Sequence, residues 1–323
     1  MPVADNPCLV ARRLQGVYAT RRPHRLSHIQ FSLTPRLDRA FNFGEFDLSG
    51  NPQQALPPPF SQHVSIIHEF FTSCHALALK LLDLFALGLH IDLSEGGEHW
   101  FSSRHDPLVG SSSRTLRLLH VRIFISVFIR NLFRLPFFLL QAHKNIQYPA
   151  HVSSPDVDTS DLRAGAHSDY GSLTLLYRLP GQPGLEILSR DNTWTPVPIY
   201  PPGTEDDGPP PILVNIGDLL EYWTRGLLKS TVHRVVVPTS QDGGAASERY
   251  SIAYFGHPVD ATKLEGIPSE MVKDRESFVG KGAKSGKGES LTAGEYLMMR
   301  LNETYGWDAE TEGREKAELE AVA

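Results

Sequence analysis

The stretches AGAHSDYGSLTLL (164–176), KSTVHRVVVP (229–238) and RYSIAYF (249–255) decide how this chain reads. Around them, TLRLLH (115–120), SLTLLYRL (172–179), LEILS (185–189), ILVNI (212–216), RVVVP (234–238) and SIAYFG (251–256) are short runs rich in β-branched, leucine and aromatic residues. Gly, Pro, Asn and Asp separate them, which is the pattern of strands joined by turns. Several such strands in succession predict a sandwich or barrel, mainly β with flanking helices.

Side chains two apart in a strand point to one face. On that rule His167 and Asp169 aim an imidazole and a carboxylate at one point, and the distant His233 supplies a third ligand. Two histidines and a carboxylate with other positions left open is the ligand set of non-haem Fe(II) sites that take oxidant and co-substrate at the metal. Arg249 and Ser251 are again two apart. A guanidinium fork binds a carboxylate through two parallel hydrogen bonds and a hydroxyl adds a third, which suits a keto acid that chelates iron at one end and is clamped at the other. Each piece alone has an ordinary reading. A chain with 14 His contains chance H-x-D pairs, and a lone arginine is more often an ion-pair partner. The ordered combination is what carries meaning.

In HSDYGSLTLL, in PGLEIL followed by Trp194, in NIGDLLEYWTRGLLKSTVHRV and in RYSIAYFGHP, the sequence resembles the iron(II)/2-oxoglutarate-dependent dioxygenases, in the isopenicillin N synthase-like branch and nearest the type found in fungal secondary metabolism. The resemblance is close over roughly 148–260, fainter over 41–120 and in the tail, and absent over 1–40. It implies a double-stranded β-helix (jelly roll) and a metal centre of His167, Asp169 and His233 holding Fe(II). It implies 2-oxoglutarate bound by Arg249, Ser251 and Tyr148, and O2 consumed as the keto acid becomes succinate and CO2 and a small molecule is hydroxylated, desaturated or cyclised. Some relatives of this kind are oxidases that use the Arg-x-Ser pair for the substrate's own carboxylate, so a 2-oxoglutarate-independent oxidase stays open, as does an inactive product. Phe255 continues the face of Arg249 and Ser251; its simpler reading is a core residue.

The formal charge of −6 argues against a nucleic-acid partner. Cys8 and Cys74 are the only cysteines, too few for a disulfide framework, so a reducing, cytoplasmic setting is the default, and a monomer is expected. No run of 18 uncharged apolar residues predicts a transmembrane helix.

Residues 1–40 form an atypical N-terminal segment, with Arg12, Arg13, Arg21, Arg22, Arg25, Arg36 and Arg39 against Asp5 and Asp38. The composition allows a transit peptide, but without an amphipathic helix a tail or a wrong start in the gene is the preferred reading. Residues 41–114 are expected to be the helical N-terminal part. Pro57, Pro58 and Pro59 argue against helix there. Ile67, Phe70, Cys74, Leu77, Leu81, Leu84 and Phe85 recur at helical steps as a core stripe ending near Gly88. The oxygenase core spans 115–260. Residues 261–323 form a linker, GKGAKSGKG (280–288), and a last helix opened by the capping-box pair Thr292 and Glu295.

Residues 121–147 break the composition of the chain, with five of the 16 Phe and no Asp, Glu or Gly. A membrane-surface helix, a substrate-capping insertion and a retained intron compete, and the intron is preferred. Removing 121–147 joins TLRLLH to YPAHV, restoring a family-like strand in which Arg117, Leu119 and Tyr148 alternate onto one face. Val121 allows a GT donor and Gln147 an AG acceptor.

Overall fold

Two antiparallel sheets face each other, one of five strands and one of four, among the residues described by this computed structural model: 40–47, 49–54, 56, 58–119, 162–236, 249–273, 275 and 290–305. The strands are β1 (Ala40–Phe43), β2 (Thr115–Leu119), β3 (Leu162–His167), β4 (Leu173–Arg178), β5 (Leu185–Leu188), β6 (Trp194–Pro196), β7 (Leu213–Ile216), β8 (His233–Val236) and β9 (Ser251–Gly256). Their order is β1-β2-β9-β4-β7 in the larger sheet and β3-β8-β5-β6 in the smaller. This is the double-stranded β-helix expected from the sequence. The segments 1–39 and 121–147, Tyr148 and the 280–288 linker lie outside the described residues.

Alternation along the larger sheet separates core from site. Leu116 and Leu118 of β2, Leu173, Leu175 and Tyr177 of β4, and Ile252 and Tyr254 of β9 are buried in one cluster with helix α1 (Val64–Gly88). Phe70 meets Tyr177 with ring centroids 5.0 Å apart, and His75 shares a 2.9 Å hydrogen bond with the Tyr254 hydroxyl. Each large side chain so buried contributes about 1.5–3 kcal/mol. The intervening residues, among them Arg117, Thr174, Arg178, Ser251 and Phe255, take the opposite face, toward the smaller sheet.

Helix α1 ends at Gly88 as predicted, but its buried stripe differs from the expected one. Ile67, Phe70 and Cys74 are buried; beyond them the core residues are Ala78, Leu82 and Ala86, while Leu84 is 61% exposed. From Phe70 onward the i, i+4 row carries the contact, and its alanines let the helix approach the sheet closely, leaving the leucines on its flank. By length and composition α1 could cross a membrane; its buried face is the one that backs the sheet.

Two local expectations need correction. Pro58 opens a short helix, Pro58–Ser61, because the first helical N–H groups have no intrahelical partner and proline sacrifices nothing there. The 41–114 stretch, expected to be helical, begins in a strand, since β1 pairs with β2 and adds an edge to the larger sheet. Strand β6, three residues long, is held by its pairing with β5 rather than by its own pattern. Toward the C-terminus, α2 (Asp218–Trp223) follows β7, and α3 (Ala293–Tyr305) opens as predicted. The Thr292 N–H donates to Glu295 Oε2 at 2.7 Å and the Glu295 N–H donates to Thr292 Oγ1 at 3.2 Å.

Candidate metal centre

Strand pairing brings the two histidines together. β3 and β8 are antiparallel neighbours with His167 directly opposite His233, and their ring centroids are 4.3 Å apart. The register slips twice along this pair before reaching His167. Such bulges twist a strand and re-aim its side chains.

Asp169 arrives differently from the sequence expectation. β3 ends at His167, so the carboxylate is not on the strand's face and reaches the site from the turn that follows. Backbone hydrogen bonds capture this turn. The N–H groups of Asp218 and Leu219 donate to the carbonyls of Asp169 and Tyr170 at 2.7 and 3.2 Å, and the Gly217 N–H donates to the Ser172 carbonyl at 3.0 Å. The packing leaves no room for side chains at two points. A Cβ on Gly217 would run into the carbonyl of Gly171, and one on Gly171 would meet the carbonyl of Gly256 and the His257 ring. The turn carries the chain from the smaller sheet to the larger, which places Asp169 between them.

The second ring of contacts fixes which atoms face the centre. His167 Nδ1 lies 2.7 Å from the Gly165 carbonyl, and His233 Nδ1 lies 3.1 Å from the Thr231 carbonyl. A carbonyl only accepts, so each Nδ1 carries the proton and each Nε2 presents its lone pair. Asp169 Oδ2 accepts from Thr174 Oγ1 at 2.6 Å and from Asn215 Nδ2 at 2.8 Å, which leaves Oδ1 to face His233 Nε2 at 3.8 Å. One ligand atom from each of His167, Asp169 and His233 lies within 4.8 Å of the others. A divalent first-row metal with bonds of about 2.0–2.2 Å needs them closer, a contraction that small side-chain rotations supply. Desolvation holds the His167 imidazole below the ordinary histidine range and His233 lowers it further, although His167 is exposed as a residue. Both effects favour the neutral ligand form. The residues fit a divalent metal by donor type, tautomer and free lone pairs.

The pair expected to clamp a carboxylate, Arg249 and Ser251, lies at the start of β9. Ser251 starts the strand opposite Leu119 and Arg178, and Arg249, two residues earlier, places Nη1 at 3.4 Å from Ser251 Oγ. Both residues are buried.

Several neighbours escaped the sequence reading. Thr174 and Asn215 hold the ligand carboxylate. Arg178, buried and paired in register with Ser251, donates to the carbonyls of Pro198 and Ile199 at 2.9 and 3.1 Å, and no carboxylate pairs with it among the described residues. Its charge adds to the positive field around Arg249 and Ser251. Arg117 Nε donates to Asn42 Oδ1 at 2.8 Å and its Cζ stands 5.5 Å from the Phe255 ring centroid. Arg117 also adds to the lowering of the His167 proton affinity, so its charge reaches the metal end. Phe255, read as core, stands outside the buried cluster. The parity of β4 and β9 was the available signal for Thr174 and Arg178; nothing in the text around Asn42 singled it out.

A family model described as the 2OG-Fe(II) oxygenase superfamily matches residues 136–258, a span that takes in part of 121–147. The chain is 33% identical over 276 residues to UPF0676 protein C1494.01 of Schizosaccharomyces pombe, covering 83% of this chain and 66% of that protein. It is 29% identical over 265 residues to the 2-oxoglutarate-dependent dioxygenase frbA of Dothideomycetidae sp., covering 81% of this chain and 62% of that one. The chain thus spans about two thirds or less of the length of these curated relatives. Among solved structures, a full-length Neurospora crassa protein in complex with alpha-KG superposes with a TM-score of 0.59 at 26% identity, covering 94% of this chain and 85% of that one. The matched span contains the turn and strands that gather His167, Asp169 and His233, and residues 136–258 form a domain of the 2OG-Fe(II) oxygenase superfamily.

Proposed function

We propose that the chain is an Fe(II)- and 2-oxoglutarate-dependent dioxygenase that oxidises a small molecule, of the kind made in fungal secondary metabolism. One observation carries the reading. The three side chains are each tied on one atom, Nδ1 of both histidines and Oδ2 of Asp169, and the remaining atoms gather at one point. Three such ligands leave the rest of an octahedron open for co-substrate and O2.

Iron bound there supplies the oxidising chemistry, coupled to loss of CO2 from the keto acid. The protein's own residues do the rest. His167, Asp169 and His233 hold the metal. Thr174 and Asn215 keep Asp169 turned so that Oδ1 is the ligand. Arg249 and Ser251 receive the far carboxylate of 2-oxoglutarate, which sets the reach of its keto acid end, and Arg178 reinforces the positive field around that carboxylate. At the other end, Arg117 and Phe255 offer an acceptor-seeking cation and an apolar ring to the substrate.

The test is succinate formation from 2-oxoglutarate with Fe(II) and O2 across a panel of candidate small molecules. It is run on the full chain and on the form lacking 121–147. Substrate oxidation coupled to succinate supports the proposal. Oxidation without succinate reassigns Arg249 and Ser251 to the substrate's carboxylate, and inactivity of both forms with every compound overturns the enzymatic reading.

A further inference from the structure

We propose that the C-terminal helix α3 is part of the metal site, and that Arg300 is a positioning residue acting through Asp218 on the turn that presents Asp169. This rests on the assignment of His167, Asp169 and His233 as metal ligands. Both neighbours of Asp169 are tied to this helix. On one side, Ser168 Oγ donates to Asp218 Oδ2 at 2.8 Å, and Arg300 Nη2 donates to the same oxygen at 2.9 Å. On the other, the Tyr170 hydroxyl donates to Thr304 Oγ1 at 2.8 Å, and the Arg300 guanidinium stands 5.7 Å from the Tyr170 ring centroid. The backbone closes the circuit. The Asp218 N–H donates to the Asp169 carbonyl at 2.7 Å, and the Tyr296 hydroxyl donates to the Asp218 carbonyl at 3.1 Å.

The arrangement is more than a helix resting on a surface. Asp218 has 1% of its side chain exposed and Arg300 12%, so the pair is removed from water and its geometry matters. Asp218 is also the first residue of α2, where a carboxylate is favoured by the helix N-terminus. One buried carboxylate therefore fixes three things together: α3 through Arg300, the ligand turn through Ser168, and the start of α2. A metal that needs Asp169 in one position gains from every contact that already holds it there. By linkage, metal binding must then tighten the docking of α3 by the same factor that docking tightens metal binding. Groups that orient a ligand commonly change metal affinity 10–100-fold.

The experiment uses the full chain, stripped of metal and titrated anaerobically with Mn(II) or Co(II), with three variants beside the parent. Arg300→Gln breaks the ion pair, Arg300→Lys keeps the charge, and Thr304→Val removes only the contact to Tyr170. Each titration is run well below the melting temperature, with circular dichroism confirming the folded state. The proposal predicts a metal Kd raised about tenfold in Arg300→Gln and less in Thr304→Val, with substantial recovery in Arg300→Lys. It also predicts that metal slows hydrogen exchange of the amides of residues 296–304 in the parent and does so less in Arg300→Gln. If Arg300→Gln does not fold, Thr304→Val and the exchange measurement on the parent decide. Folded variants that bind metal within twofold of the parent, or helix amides indifferent to metal in a parent that binds it, overturn the inference and leave the ligand assignment standing. A parent that binds no metal overturns the ligand assignment itself and the inference with it.

Discussion

Replacing Thr174 with valine removes a single hydroxyl from the support of the metal carboxylate and little else. The side chains are nearly isosteric and Thr174 is buried on β4, so no cavity opens and no surface changes. What disappears is the 2.6 Å hydrogen bond to Asp169 Oδ2. A hydrogen bond to a charged acceptor contributes about 1.5–3 kcal/mol. Asn215 still donates to the same oxygen at 2.8 Å, so the lower part of that range applies. About 1.5 kcal/mol is roughly tenfold in an equilibrium constant. Asp169 is then free to rotate, and each orientation that turns Oδ1 away from His233 Nε2 is lost to metal binding. Anaerobic Fe(II) titration of the metal-stripped chain should show a Kd raised about tenfold for Thr174→Val. Adding Asn215→Leu should weaken binding by less than the product of the two separate effects, because both act on one oxygen. Urea unfolding of the metal-free forms separates any loss of fold stability from this loss of affinity. A folded Thr174→Val with unchanged Kd would refute the argument that Oδ2 is held so that Oδ1 can bind.

Other outcomes follow from the same geometry. Arg249→Lys keeps the charge but loses the fork, so the KM for 2-oxoglutarate in steady-state assays should rise about tenfold, and Arg249→Met should raise it further, with Ser251→Ala milder than either. Tyr148→Phe should raise the same KM severalfold if its hydroxyl is the third group of the clamp; an unchanged KM removes it from the clamp. Gly217→Ala should destabilise the metal-free chain by about 3 kcal/mol or more, read as a lower urea midpoint, because the new Cβ meets the Gly171 backbone and nothing flexible can yield. Acid should weaken the fold through its buried histidines. Burial pushes His75 and His105 down to about 3, below the roughly 6.5 of an unfolded chain. The unfolded state therefore binds more protons as pH falls below about 6.5, stability is lost through that window, and the loss levels off near the folded values. These two groups together should lower unfolding free energy by on the order of 3 kcal/mol between pH 6.5 and 5, and a urea midpoint that rises on acidification would contradict the assignment.

Parity and chemistry made much of this molecule legible. The six runs read as strands are β2, β4, β5, β7, β8 and β9, and the alternation that places Ser251 and Phe255 on one face is the alternation the sheet displays, while Arg249 precedes the strand and reaches Ser251 from outside it. Phe255 stands off the buried cluster, because apolar parity does not say whether a face meets α1 or the smaller sheet. For Asp169, the two-residue spacing pointed to the right partner for the wrong reason. The chain leaves the strand at His167, and α2 rather than the pleat positions the carboxylate. Asn215 could not be given its role from the text, since its hydrogen bond across 46 residues is set by the register of β4 against β7, and for Thr174 parity indicates the face but not the partner. Arg300 was still less visible. The capping box announced its helix, yet only the packing of α3 on the ligand turn connects that arginine to the site.

On the proposed function, one point between the sheets, held by His167, Asp169 and His233, binds Fe(II) and commits 2-oxoglutarate to oxidation. Succinate release from 2-oxoglutarate, measured with and without Fe(II) for the parent, Asp169→Ala and His233→Ala, tests it most directly. The expected result is iron-dependent succinate in the parent and none above background in either variant, each of which stays folded by circular dichroism. Full turnover by a folded Asp169→Ala, or succinate formation indifferent to iron in the parent, would contradict it.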